Sequence, residues 1–122
     1  MLIKSYKELE FWKRSKGVSL LIVGLSRKLP NERICWVILD QILRSGFSVG
    51  ANIAEGFGRF KGKEYKRYLR VALDSARETE YWLELLKDCY PRFSGEIDTI
   101  ISKNTETIKM LSSTIKTLDK NK

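Results

Sequence analysis

The chain has 122 residues, 23 Lys and Arg against 15 Asp and Glu, no His, and a formal net charge of +8. That length suits one domain, residues 1–122, with a real core, and the longest strongly apolar run, residues 18–25, is far short of the roughly 20 residues a membrane span needs. Without His there is no Ser–His or Cys–His nucleophile pair and no His-based metal site, and two cysteines cannot build a four-ligand zinc centre.

Four helices are expected in chain order. The first, about residues 6–29, opens on Ser5-Tyr-Lys-Glu8, a capping box in which the hydroxyl accepts from the third helical N–H and the Glu reaches back. Its apolar stripe is Phe11, Val18, Ile22, Leu25 and Leu29, widened by Leu9, Trp12 and Leu21. Pro30 disfavours helical geometry before it. Asn31 then caps the second helix, about residues 32–58.

That second segment has two readings. Phe47, Val49, Ala51 and Ile53 alternate with Ser48, Gly50 and Asn52 at a strand period. The helical reading puts Ile42, Val49, Ile53 and Phe57 on one face and Gly46, Gly50 and Ala54 on another. Helix is preferred, because no second strand is visible to satisfy a lone one. Each internal Gly costs a helix about 1 kcal/mol, offset if a neighbouring helix approaches closely.

The third helix, about residues 63–89, has a seam of Tyr65, Leu69, Ala72, Ala76, Thr79, Leu83, Leu86 and Tyr90. Beside it lies a second row of Tyr68, Val71, Ser75, Trp82, Leu85 and Cys89, interrupted by Glu78. The two rows form a face wider than one partner helix covers. Pro91 stops this helix, and Ser94 caps the fourth, about residues 95–118. The seam there is Ile97, Ile101, Asn104, Ile108, Leu111, Ile115 and Leu118, with Asn104 as a register-setting interruption. Four amphipathic segments with short connections predict an all-α, antiparallel up-and-down four-helix bundle. The wide third-helix face, the three Trp on different helices and the small-residue surface of the second helix predict an oligomer.

The charge is concentrated. Residues 59–70 hold six basic side chains and one acidic, so a tenth of the chain carries more than half of the excess. Lys63, Lys66, Arg67 and Arg70 fall in the first turns of the third helix, where the dipole disfavours cations. Cations placed where backbone amides also point outward make an anion site, and phosphate is the natural anion for spaced Lys and Arg. Arg59 and Lys61 extend the set. Phe60, Tyr65 and Tyr68 are interleaved and of a kind to stack on bases, although Tyr65 and Tyr68 fall in the core rows. Lys13, Arg14 and Lys16 of the first helix join the patch only if the helices lie next to each other.

Other patterns are weaker. Gly62-Lys63 is followed by Glu64, and Phe57 stands where a phosphate loop needs Gly. Ser113-Thr-Ile-Lys116 lacks the companion motifs of an acyl-transfer site. Arg44, Ser48, Asn52, Glu55 and Arg59 share one face of the second helix; with Ser75 and Glu78 they read as an interhelical polar network. A carboxylate site using Glu55 with Asp74 or Glu78 is the enzymatic alternative, with no nucleophile beside it. Cys35 and Cys89 read as buried free thiols in a reducing compartment. The N-terminus lacks the order of a signal peptide, and a cytoplasmic location is expected.

The run from Asp40 to Arg59, with Asn52-Ile-Ala-Glu-Gly-Phe-Gly-Arg59 at its heart, then Lys63-Glu-Tyr and Ala72-Leu-Asp-Ser-Ala-Arg-Glu78, resembles the four-helix bundle protein family encoded in intervening sequences of bacterial 23S ribosomal RNA genes. Tyr6-Lys-Glu-Leu-Glu-Phe-Trp-Lys13 and Leu29-Pro30 also match, so the likeness covers about residues 5–90. It departs at Gly50, where the pattern often has Pro, at Gly46, where it often has Ala, and at Cys35-Trp36. Arg44, Ser48, Asn52, Glu55, Gly56, Arg59, Ser75 and Glu78 carry over as characteristic residues. The resemblance implies a ring-like homopentamer. A related protein, the accessory variability determinant of diversity-generating retroelements, is a basic pentameric barrel that binds nucleic acid and a reverse transcriptase.

Together these readings predict a non-enzymatic homo-oligomer without metal or cofactor that binds RNA or DNA, RNA in preference, mainly through phosphates. The contacts would be Arg59, Lys61, Lys63, Lys66, Arg67 and Arg70. The alternative is an adaptor whose basic face meets an acidic protein such as a polymerase-like enzyme.

Overall fold

A computed structural model describes residues 3–59 and 62–120. Its helices are α1 (Glu10–Ser26), α2 (Arg33–Phe57), α3 (Gly62–Cys89) and α4 (Ser94–Lys120), with 3-10 turns at Tyr6–Glu8 and Pro91–Phe93. There is no strand among the described residues. α1 packs on α2 and α4, and α3 packs on α2 and α4, which closes a four-helix bundle.

Several helix ends differ from expectation, each for a local reason. The Ser5 capping box forms, but it caps the 3-10 turn; Leu9 is then extended, and α1 starts at Glu10. α1 ends three residues before Leu29. Lys28 N–H donates to Leu25 O at 2.9 Å, and the chain leaves the helix so that Leu29 packs against the Val18, Ile22 and Leu25 cluster. Asn31 is not the cap of α2. Glu32 takes that position without a side-chain bond, and Asn31 Oδ1 instead accepts from Trp36 Nε1 at 2.6 Å. Ser94 already has helical backbone angles, because the 3-10 turn after Tyr90 runs directly into α4. It is the first residue of that helix rather than its cap.

α2 is continuous through both glycines, and its neighbours explain why. A Cβ at Gly46 would lie 2.9 Å from Ile22 Cδ1, at Gly50 3.1 Å from Ser15 Oγ, and at Gly56 2.7 Å from Tyr68 Cβ. Close approach of α1 and α3 offsets the helix cost of these residues. By length and composition α2 is also long and apolar enough to cross a membrane, which the longest apolar run alone did not suggest, and 39% of its most apolar stretch is buried in the bundle.

The core has two apolar clusters. One gathers Phe11, Val49, Ile53, Tyr65, Leu69, Ala72, Leu111 and Ile115; the other gathers Val18, Ile22, Leu25, Cys35, Ile42, Leu83, Leu86, Ile97 and Ile100. Along every helix a buried polar residue falls between the two: Ser15, Ser45, Thr79, and Asn104 with Thr107. Each finds a partner. Ser15 Oγ donates to Trp12 O at 2.7 Å, Ser45 Oγ to Gln41 O at 2.8 Å, and Asn104 Nδ2 crosses to Ala76 O of α3 at 2.8 Å. Among the described residues no buried side-chain nitrogen or oxygen lacks a hydrogen bond. Cys35 is buried as expected, and burial pushes its thiol pKa up, whereas Cys89 is exposed at the end of α3.

Candidate nucleic-acid interface

The polar stripe of α2 meets α3 as a ladder. At its centre Ser48 Oγ and Ser75 Oγ are 3.0 Å apart, and Asn52 Nδ2 donates back to Ser48 O and Oγ at 2.8 and 2.9 Å. One rung along, Thr79 Oγ1 lies 2.9 Å from Ser45 Oγ. The next rung is ionic: Arg44 pairs with Glu78 and also donates to Gln41 Oε1 at 2.8 Å. Trp82 Nε1 donates to Glu78 Oε2 at 2.9 Å. That bond, then Arg44, hold the Glu78 carboxyl below its usual pKa. These contacts consume the polar groups in joining two helices. Glu55 is likewise engaged, with Arg59. Among the described residues no cluster of three His, Cys, Asp or Glu is placed to hold a metal ion.

The cations gather where α2 ends and α3 begins. Arg59 lies over the Tyr68 ring at 5.3 Å and Arg67 over the same ring at 4.7 Å, so one half-buried tyrosine organises two guanidinium groups. Gly56 lets that tyrosine sit close against α2. Arg67 also pairs with Glu64 at 3.1 Å, which lowers the Glu64 pKa, and Arg59 is raised by its bond to Glu55. Lys66 is only 14% exposed and reaches Asp119 of α4 at 3.3 Å; Arg70 reaches the same carboxylate at 2.9 Å. Lys63 is exposed, with no ion-pair partner among the described residues. Lys61 and Phe60 lie outside the described residues. Tyr65 is buried in the core and unavailable for stacking.

The structure therefore pairs Arg59 with Arg67 on Tyr68 and Lys66 with Arg70 on Asp119, four cations against the carboxylates of Glu55, Glu64 and Asp119, with Lys63 exposed on the same stretch of α3. Arg14 does not face Tyr68 with them; it pairs with Glu10 and with Glu106 of α4. Lys16 lies over Trp12 at 5.7 Å. The residue that sequence reasoning missed is Asp119, 53 and 49 residues from its two partners. A signal was present: a carboxylate in the last turn of a helix opposes the dipole there, as cations do in the first turn of α3. Two adverse helix ends satisfy one another.

A compact helical bundle with a cation cluster at one helix–helix turn defines the class. The chain matches the model of the 23S rRNA-intervening sequence protein family over residues 7–113 and belongs to that family. Six chains among solved structures match. One is a protein of unknown function from the S23 ribosomal protein family of Bacteroides thetaiotaomicron VPI-5482. It is 39% identical, with a TM-score of 0.79, over 87% of this chain and 98% of that one. No curated protein matches significantly.

Proposed function

We propose that this protein is a non-enzymatic, cytoplasmic nucleic-acid-binding bundle, antiparallel and up-and-down, that favours RNA and contacts phosphates at the α2–α3 turn. The observation that carries the reading is the crowding of Lys63, Lys66, Arg67 and Arg70 into the first turns of α3, where the helix dipole disfavours cations, with Arg59 beside Arg67 on the Tyr68 ring. Membership of a family named for an rRNA intervening sequence agrees with it. Lys61 belongs to the same run of sequence.

The protein acts as a homo-oligomer, a ring of five by the family resemblance. Apolar side chains left outside the bundle support assembly: Ile34 is 63% exposed, Val37 55%, Trp36 45% and Leu20 61%. A ring multiplies the patch, and its copies act together on one polymer. A second reading has one observation in its favour. The patch already accepts the carboxylates of Glu55, Glu64 and Asp119, so an acidic protein surface would also fit it.

The test is RNA binding across a salt series, wild type against Lys63→Glu/Lys66→Glu/Arg67→Glu, with oligomer mass measured for both. Expected is a steep log–log salt slope for wild type, about 0.7 to 0.9 per phosphate contacted, with affinity and slope lost in a variant of unchanged mass. No RNA or DNA binding at about 50 mM salt, where electrostatic contacts are strong, overturns the reading in favour of an acidic protein partner.

A further inference from the structure

The carboxylate of Asp119 occupies the geometry that a phosphate would take. It accepts from Arg70 through both oxygens, at 2.9 and 3.0 Å, and from Lys66 at 3.3 Å. Lys66 is the least exposed of the described cations in the cluster, and it is held from α4. Asp119 comes from the last turn of α4, where its charge is adverse to its own helix. It also lies beyond residue 113, the last residue matched by the family model.

We propose that Asp119 is a built-in competitor for nucleic-acid phosphate, an acidic strap from the end of α4 that must leave Lys66 and Arg70 before they can take a phosphate. The inference rests on the phosphate-binding reading of the same patch. Bound to Asp119, the two cations keep one net positive charge between them, so half of their capacity for counterion release is spent on the carboxylate. Freed, they gain one net positive charge and with it about one further phosphate contact. Exposed ion pairs are weak, so a polyanion presenting several phosphates displaces the strap where a single acidic side chain elsewhere does not.

The experiment compares wild type, Asp119→Asn and Asp119→Asn/Lys66→Met/Arg70→Met for binding of a labelled RNA hairpin between about 50 and 200 mM salt. Circular dichroism and oligomer mass confirm that all three fold and assemble alike. One added net phosphate contact steepens the salt slope by about 0.7 to 0.9, so Asp119→Asn should lose about threefold more affinity over that range than wild type does. It should bind tighter at the low-salt end, and the triple variant should lose the gain. Binding by Asp119→Asn alone supports the strap most strongly. Equal affinity and slope for wild type and Asp119→Asn overturn the strap and leave the phosphate reading standing. A gain that survives in the triple variant also overturns it, since Lys66 and Arg70 would then not be the cations released. No binding by either of the first two overturns both.

Discussion

The α2–α3 seam and the α1–α4 seam use the same residue types to opposite effect. Between α2 and α3, glycine makes room: a Cβ at Gly56 would meet Tyr68 Cβ at 2.7 Å. On α1, a Cβ at Gly17 or Gly24 would meet nothing within 4 Å. Gly17 borders a shallow groove shared with Val18, Leu21, Lys103 and Glu106 of α1 and α4. Ions differ in the same way. Glu78 is tied to Arg44 of α2 and, within α3, to the Trp82 indole, whereas Arg14 of α1 and Lys28 just past it pair with Glu106 and Glu96 of α4 with no such indole contact among the described residues. One seam is fixed by contact, and the other is left open at its rim. A glycine in a helix therefore carries no fixed meaning until its neighbour is known.

The sharpest way to break this contrast is to fill the glycines. Gly56→Ala should cost about 1–3 kcal/mol by overpacking, because Tyr68 Cβ lies next to the backbone and has little freedom to move. Denaturant unfolding measures it, and a neutral result would show that α3 can shift away from α2. Gly17→Ala and Gly24→Ala should each stabilise by up to about 1 kcal/mol. Destabilisation, or a change in oligomer mass, would mean that another copy covers this face. The smallest effect is expected at Glu78→Gln, below about 1 kcal/mol near neutral pH, since the pair is partly exposed. The folded pKa of Glu78 is lowered, so its contribution is present above the ordinary carboxylate range near pH 4.3 and is lost as pH falls through the folded value. Melting curves of wild type and Glu78→Gln should converge on acidification. A gap that persists at low pH would assign the effect to shape rather than charge.

Periodic features were legible in the sequence because they depend on spacing alone. The α3 seam from Tyr65 to Leu86 is buried throughout, and Asn104 bonds across to α3. The second α3 row makes a face wider than one partner helix covers, and Val71 on it is exposed; Cys89, expected to be buried, is exposed as well. The path of α2 through Gly46 and Gly50 was ambiguous because the answer lay in Ile22 and Ser15, a helix away. Asn31 misled because a cap and an indole compete for one carbonyl oxygen. At the candidate site the cations were countable, but their pairing was not. Glu64 is three residues from Arg67 and visible locally, whereas Asp119 reaches Lys66 only after the bundle closes.

The α1–α4 pairing has a kinetic consequence. Every other helix–helix contact joins neighbours in the chain; this one joins positions as far apart as Arg14 and Glu106, 92 residues. Loop-closure entropy is spent on it last, and the ion pairs that cross it are exposed. Opening should therefore begin there, with amides of α1 exchanging hydrogen ahead of those in α2 and α3, which would remain as a hairpin nucleus.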